Sequence, residues 1–298
     1  MRSLQGHVNA DGPRSTSWPA PPGLPGGLAG EGAVRSYDAL LARIKRAATC
    51  RVYGYQDAPL GGERFELVLV RIPARTVTSQ GRRRRVALNG GTHGDEPAGV
   101  EAVTQFLERR LYDRWPHVEF TITPCINPWG YVYDRRAGPR GADLNRCFRR
   151  ARRSTPEVAL LKRALGPRRF DLFIDCHEDV DAPGLYVYAP TALGRSIVAA
   201  AGALGPLHPG PLVDGEIPLV GAVAALDRPA AGSAPAPEPA VTARGAPWPL
   251  PAGSWAASLP PPDVGQLATA TVETPTALPL EQRVAMHLAS ITAAIDSL

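Results

Sequence analysis

The chain has 298 residues, 44% of them hydrophobic, and carries a formal net charge of +5, mostly on arginine. This length and composition suit one large α/β domain or two smaller ones with a sizeable buried core. No stretch stays apolar for the ~20 residues of a membrane span. The opening "MRSLQGHVNADGPRSTSW" lacks the apolar run of a secretory signal, so a cytoplasmic protein with no membrane partner is expected.

Residues 1–34 are rich in Pro, Gly and Ser ("WPAPPGLPGGLAGEG") and read as a flexible leader, with the folded part spanning 35–298. Order begins near Ser36, a suitable N-cap for the helix "YDALLARIKRAA". Two strands follow, "CRVYGYQ" and "RFELVLVRI", the second with Phe65, Leu67 and Leu69 on one face. Next, "RRVALNG" reads as a buried strand, and "EPAGVEAVTQFLERRL" has helical periodicity with Pro97 near the first turn, where it is tolerated. "HVEFTITPC" is another strand, succeeded by an irregular loop from Asn127 to Arg146. The helix "STPEVALLKRAL" opens with a capping box of Ser154 and Glu157. "FDLFIDCH" and "GLYVYAP" are strands, and a helix starts near Thr191. From about 206 to 262 prolines and alanines crowd the chain, as in a long loop, lid or partly disordered insertion. "QLATATVET" returns to strand and "PLEQRVAMHLASITAAIDSL" closes the chain as an amphipathic helix. Strands alternating with helices predict an α/β fold around a mixed, mostly parallel sheet.

Cys50, Cys125, Cys147 and Cys176 show no C-x-x-C spacing, which leaves zinc fingers and redox motifs unsupported. Cys125 and Cys176 lie in apolar runs and read as buried thiols. Arginines cluster in "GRRRR" at 81–85 and "RCFRRARR" at 146–153. Such clusters can bind nucleic acid, but only Phe148 lies inside one, so base stacking has no platform and a solvated surface is the better reading.

Chemistry concentrates in "NGGTHGDEPAG", residues 89–99, where His93, Asp95 and Glu96 share a glycine-rich bend after a strand. Catalytic zinc takes three nitrogen or oxygen ligands and keeps a fourth position open. His93 and Glu96 supply two, a pair that is weak evidence alone. His177 ends a second apolar strand, and ligand sites in open α/β sheets collect at the carboxyl ends of strands. The competing reading of His177 is a satisfied core or turn histidine.

The ordered set "HGDE" (93–96), "NPWGY" (127–131), Arg136, "DLNR" (143–146), "DCHED" (175–179) and "TVETP" (271–275) resembles the zinc metallocarboxypeptidase superfamily. The short spacing from "NPWG" to "DLNR" is similar to its compact bacterial branch, near murein-peptide amidases and the succinylglutamate desuccinylase/aspartoacylase deacylases. The resemblance runs from about residue 84 to the C-terminus and fades across the insertion. It implies a three-layer α/β/α catalytic domain over 35–298 holding one Zn²⁺ on His93, Glu96 and His177. It further implies Glu273 as general base and Arg136 as the oxyanion donor, with Arg135 the rival. Asn145 and Arg146 would grip a substrate carboxylate, for which arginine's fork is suited. Asp143 would orient a ligand imidazole, His93 first among them. Asp175 can do likewise or pair with an arginine. Glu178 and Asp179 either favour a cationic group on the substrate or cap a turn.

The implied partner is a small peptide or an N-acyl amino acid with a free carboxylate. A metallocarboxypeptidase or peptide amidase is expected, with an N-acyl amino acid deacylase as the alternative. A non-catalytic zinc-binding or anion-binding protein is the alternative of another class, although it need not keep Glu273 and Arg136. One departure stands out. Digestive carboxypeptidases carry a mobile tyrosine before the late glutamate, and here no tyrosine lies between Tyr188 and Glu273. Trp248 and Trp255 occupy that stretch, and indole offers only a donor nitrogen.

Overall fold

The computed structural model describes residues 35–226 and 268–298, apart from 60, 149–153, 167 and 214–216. The leader at 1–34, most of the second arginine cluster, residues 227–262 of the expected insertion, and both Trp248 and Trp255 lie outside the described residues.

Helix α1 (Tyr37–Ala47) starts as expected, the Ser36 hydroxyl accepting the Ala39 N–H at 3.1 Å. Strands β1 (Cys50–Asp57) and β2 (Arg64–Ile72) pair antiparallel, and β3 (Arg84–Gly90) leads into α2 (Pro97–Glu108). That helix stops three residues short of the periodic pattern, and the chain turns at Arg110 in the left-handed region, φ 50°. After β4 (Val118–Thr123), the stretch expected to be irregular contains a short helix, α3 (Pro128–Tyr133). Pro128 sits in its first turn and the Asn127 side chain accepts the Gly130 N–H at 3.1 Å.

Helix α4 (Pro156–Leu165) begins one residue later than the Ser154–Glu157 box predicts. Thr155 is its N-cap, while Glu157 is buried and accepts from Gln56 on β1 at 3.4 Å rather than reaching back. Strands β5 (Leu172–Asp179) and β6 (Tyr186–Ala189) precede α5 (Thr191–Gly202). The described part of the Pro/Ala-rich stretch folds into β7 (Leu212–Val213), β8 (Ile217–Pro218) and β9 (Val223–Ala225). β10 (Ala268–Pro275) and α6 (Leu280–Asp296) complete the described chain.

The main sheet has eight strands in the order β1-β2-β4-β3-β5-β10-β6-β9. The contiguous block β4-β3-β5-β10 is parallel, with antiparallel pairs outside it and β9 parallel to β6 at the far edge. Alternation along the strands assigns the layers. Val86, Leu88, Ile122, Ile174 and Val272 pack under α1, α2, α5 and α6, forming the larger core. Leu69, Ala87 and Phe173 face the other way, onto Val158, Leu161 and Leu165 of α4. This second face is apolar only through the first half of the parallel strands. Toward their carboxyl ends the same alternation delivers Asn89, Thr123, Asp175, His177, Thr271 and Glu273, a polar patch on the same face as the α4 contacts.

Among the described residues no helix is long and apolar enough to cross a membrane. All four cysteines are free, with Cys125 and Cys176 buried as expected.

Candidate metal centre

The bend after β3 is held by backbone. The Gly91 carbonyl accepts from Ile126 and Asn127 at 3.2 and 2.9 Å, and the Gly94 N–H donates to the Arg135 carbonyl at 3.0 Å. The Gly94 carbonyl takes an Arg35 N–H at 3.0 Å. Contact with α3 is so close that a β-carbon on Gly94 would lie 1.9 Å from the Gly130 carbonyl carbon, and one on Gly130 would meet Asn127 Nδ2 at 2.3 Å. Glu96 then stands at the N-cap of α2, with its carboxylate unused for capping.

That carboxylate meets two imidazoles. His93 Nδ1 lies 2.6 Å from Glu96 Oε1, and His177 Nδ1 lies 2.7 Å from Glu96 Oε2. The three candidate donor atoms fall within 4.8 Å of one another, and the residues are 1%, 4% and 2% exposed in chain order. The outward ring nitrogens face carboxylates: His93 Nε2 is 3.1 Å from Asp143 Oδ1, and His177 Nε2 is 3.1 Å from Asp175 Oδ2. With a cation bound between them, imidazoles so placed would keep the proton on the outer nitrogen and turn a lone pair inward.

The electrostatics match a cation. Burial opposes charge on both histidines, but for His93 the neighbours Glu96 and Asp143 outweigh it and raise the pKa; for His177, Asp175 and Glu96 raise it further. Glu96 is buried too, yet His93 and His177 hold it well below the usual carboxylate range. Asp143, against its own partial burial, is lowered by His93 and Arg136. Three carboxylates around the two imidazoles favour positive charge there. Two nitrogens and one oxygen are also a donor set that catalytic zinc uses, so the residues fit the metal.

Arg136 and Asn145 stand beside this group. Arg136 Nη1 donates to Glu96 Oε1 at 2.9 Å, and its Nε lies 3.6 Å from Asp143 Oδ2. Its rival Arg135 is placed differently, contributing its carbonyl to the bend. Asp143 caps a 3-10 turn over Leu144–Arg146 by accepting the Asn145 N–H at 2.9 Å, which leaves Asn145 buried and Arg146 exposed. Glu273 is the register partner of His177 on one side and of Tyr186 on the other. Removal from water, with Glu96 and Asp179 nearby, raises its carboxyl to about 8, while the His177 imidazole pulls the other way.

Several partners were not legible. Asn89 Nδ2 donates to Asp175 Oδ1 at 2.5 Å and to Thr92 Oγ1 at 2.9 Å, fixing Asp175 from the neighbouring strand. The Tyr186 hydroxyl donates to Asp179 Oδ2 at 2.8 Å. Glu178 is buried, accepts the Ala98 N–H and forms an ion pair with Arg283. Strand-end position signals Asn89; nothing local signals Tyr186 or Arg283.

Known proteins resemble the chain in fold and, over part of its length, in sequence. The chain superimposes on a candidate metallopeptidase from Shewanella amazonensis with a TM-score of 0.65 and 21% identity, over 88% of this chain and 91% of that one. A metallo-carboxypeptidase from Burkholderia cenocepacia gives 0.57 and 18%, over 88% and 70%. The fold is zinc carboxypeptidase-like. Residues 82–190 match the succinylglutamate desuccinylase/aspartoacylase catalytic domain, so this segment carries the pattern of a hydrolase family. A 97-residue stretch is 33% identical to N-alpha-acetyl-L-2,4-diaminobutyric acid deacetylase of Halomonas elongata, covering 32% of this chain and just 28% of that protein. The resemblance carried by the six ordered motifs, to the carboxypeptidase superfamily and its deacylase branch, is borne out.

Proposed function

We propose that the protein is a zinc-dependent hydrolase that cleaves an amide whose nitrogen sits on a carbon bearing a free carboxylate. The observation that carries this reading is the meeting of His93, Glu96 and His177 at two strand ends, with Glu273 alongside. These three residues would hold one zinc per chain. Such an ion supplies Lewis acidity, polarising the scissile carbonyl and making water nucleophilic near neutral pH.

The other steps belong to side chains. Glu273, next to His177 in the strand register, takes a proton from the attacking water and returns it to the leaving amine. Arg136, whose guanidinium reaches Glu96, donates to the carbonyl oxygen as negative charge builds there, a contribution of about 3 kcal/mol. Arg146 and the amide of Asn145 receive the substrate carboxylate. Asp143 and Asp175 keep the ligand imidazoles in one tautomer.

C-terminal peptides and N-acyl amino acids both present this amide–carboxylate unit and differ only in the acyl group. N-acyl amino acids are the favoured class, because the matches at 82–190 and to the deacetylase come from that branch. Peptide cleavage is the second reading, supported by the fold it shares with a metallo-carboxypeptidase. The test presents the zinc-loaded protein with N-acetyl and N-succinyl amino acids, C-terminal dipeptides and murein tripeptide–diaminopimelate fragments. Released amine is the readout. Chelator-sensitive turnover on the first group is expected; zinc bound tightly with no turnover on any group would sink the hydrolase reading.

A further inference from the structure

We infer that Glu178 and Arg283 are positioning residues for Glu96, through which the last helix sets the affinity of the metal centre. This rests on the metal reading above. Pro97 opens α2, so Ala98 carries the first N–H that needs an acceptor, and Glu96 at the N-cap supplies none. The acceptor comes from β5 instead: Glu178 Oε1 takes the Ala98 N–H. The Glu178 backbone N–H, meanwhile, donates to Glu96 Oε2 at 3.2 Å. One residue therefore grips Glu96 twice, through the helix that begins next to it and through its own carboxylate oxygen.

A carboxylate used this way is stripped of water and needs a counter-charge. Arg283 of α6 provides it. Its Nη1 pairs with Glu178 Oε2, the two side chains being 12% and 0% exposed, and its Nε donates to the Leu278 carbonyl at 2.9 Å. Leu278 lies in the connection between β10, which carries Glu273, and α6. A single guanidinium thus joins α6, the exit of β10 and, by way of Glu178, the ligand carboxylate. Groups that orient metal ligands from behind typically change metal affinity ~10–100-fold when removed, and that is the effect expected here.

The experiment measures zinc affinity of the full chain by competition with a chromogenic chelator. Arg283→Met is expected to weaken zinc binding ~10–100-fold, and Arg283→Lys to recover most of it. Glu178→Gln keeps an acceptor for Ala98 but loses the charge, and is expected to weaken binding as well. The double variant should bind no more weakly than the worse single one, because the pair acts as a unit. Arg43→Met serves as control: it removes the partly exposed α1–α2 ion pairs to Glu101 and Glu108, and should lower stability while zinc affinity stays put. Unchanged affinity in Arg283→Met, or in Glu178→Gln if the former does not fold, overturns the inference. Equal weakening in Arg43→Met does so too. If the unaltered chain binds no zinc, the metal reading falls first and takes this one with it.

Discussion

The two strand ends that make the centre are built on different plans. After β3, two proposed ligands lie three residues apart in one bend, and backbone hydrogen bonds from the neighbouring loop hold it. At the end of β5 a single proposed ligand, His177, sits among Asp175, Glu178 and Asp179. Each of those acids has a side-chain partner on a different element: Asn89 on β3, Arg283 on α6 and Tyr186 on β6. The first end is a local shape and the second is a junction. A shape fails when its own residues change; a junction fails when distant ones do.

Four measurements separate these plans, taken from the largest expected effect downward. Glu273→Gln leaves both ends intact and removes only the base, so kcat should fall ~10²–10⁴-fold while zinc content holds; full turnover would reassign the base. Arg136→Ala strips the guanidinium that lies beside the bend, with an expected loss of ~10²–10³-fold in kcat, read by steady-state kinetics.

The third comparison is between the carboxylates behind the two imidazoles. Asp143→Ala and Asp175→Ala should each weaken zinc binding ~10–100-fold. They should differ in stability, because Asp143 is 28% exposed and Asp175 fully buried. Losing Asp175 leaves a buried Asn89 N–H without its acceptor, a penalty of about 1–3 kcal/mol that denaturant unfolding would register. Equal stability in the two variants would erase the distinction between shape and junction.

The smallest effect concerns acid. His287 of α6 is buried, with Nε2 3.1 Å from Thr274 Oγ1, and burial together with His177 and Arg283 lowers its pKa to about 3. The unfolded chain binds this proton near pH 6.5, so between 6.5 and 3 it holds more protons than the native state. Stability from this group is therefore complete above about pH 6.5 and is lost as pH falls. Replacing His287 by Gln should flatten that part of the curve of melting temperature against pH; an unaltered slope would assign the acid loss elsewhere.

Much of this was legible from the chain. Helix and strand positions followed periodicity, and the parallel block followed from their alternation. His93 and Glu96 were readable as a pair because their spacing is local, and His177 because an apolar strand ends on it. The Ser154 box misled because Glu157 has a buried partner on β1, which no local pattern announces. Helix α3 hid in a proline- and glycine-containing stretch whose six residues are too few to show a period. Arg283 looked like one more charge on an amphipathic helix. Its partner lies across the fold, and pairing between distant residues leaves no mark on either neighbourhood.

A methyl group on Gly94 would run into the backbone of Gly130, and one on Gly130 into the Asn127 side chain and the Arg135 carbonyl. Neither glycine carries a proton, a charge or a lone pair toward the chemistry, yet their tolerance for replacement is the narrowest around the centre. In a library of random variants, positions 94 and 130 would be among those where even alanine is rejected, so that an empty space would be as hard to replace as an imidazole.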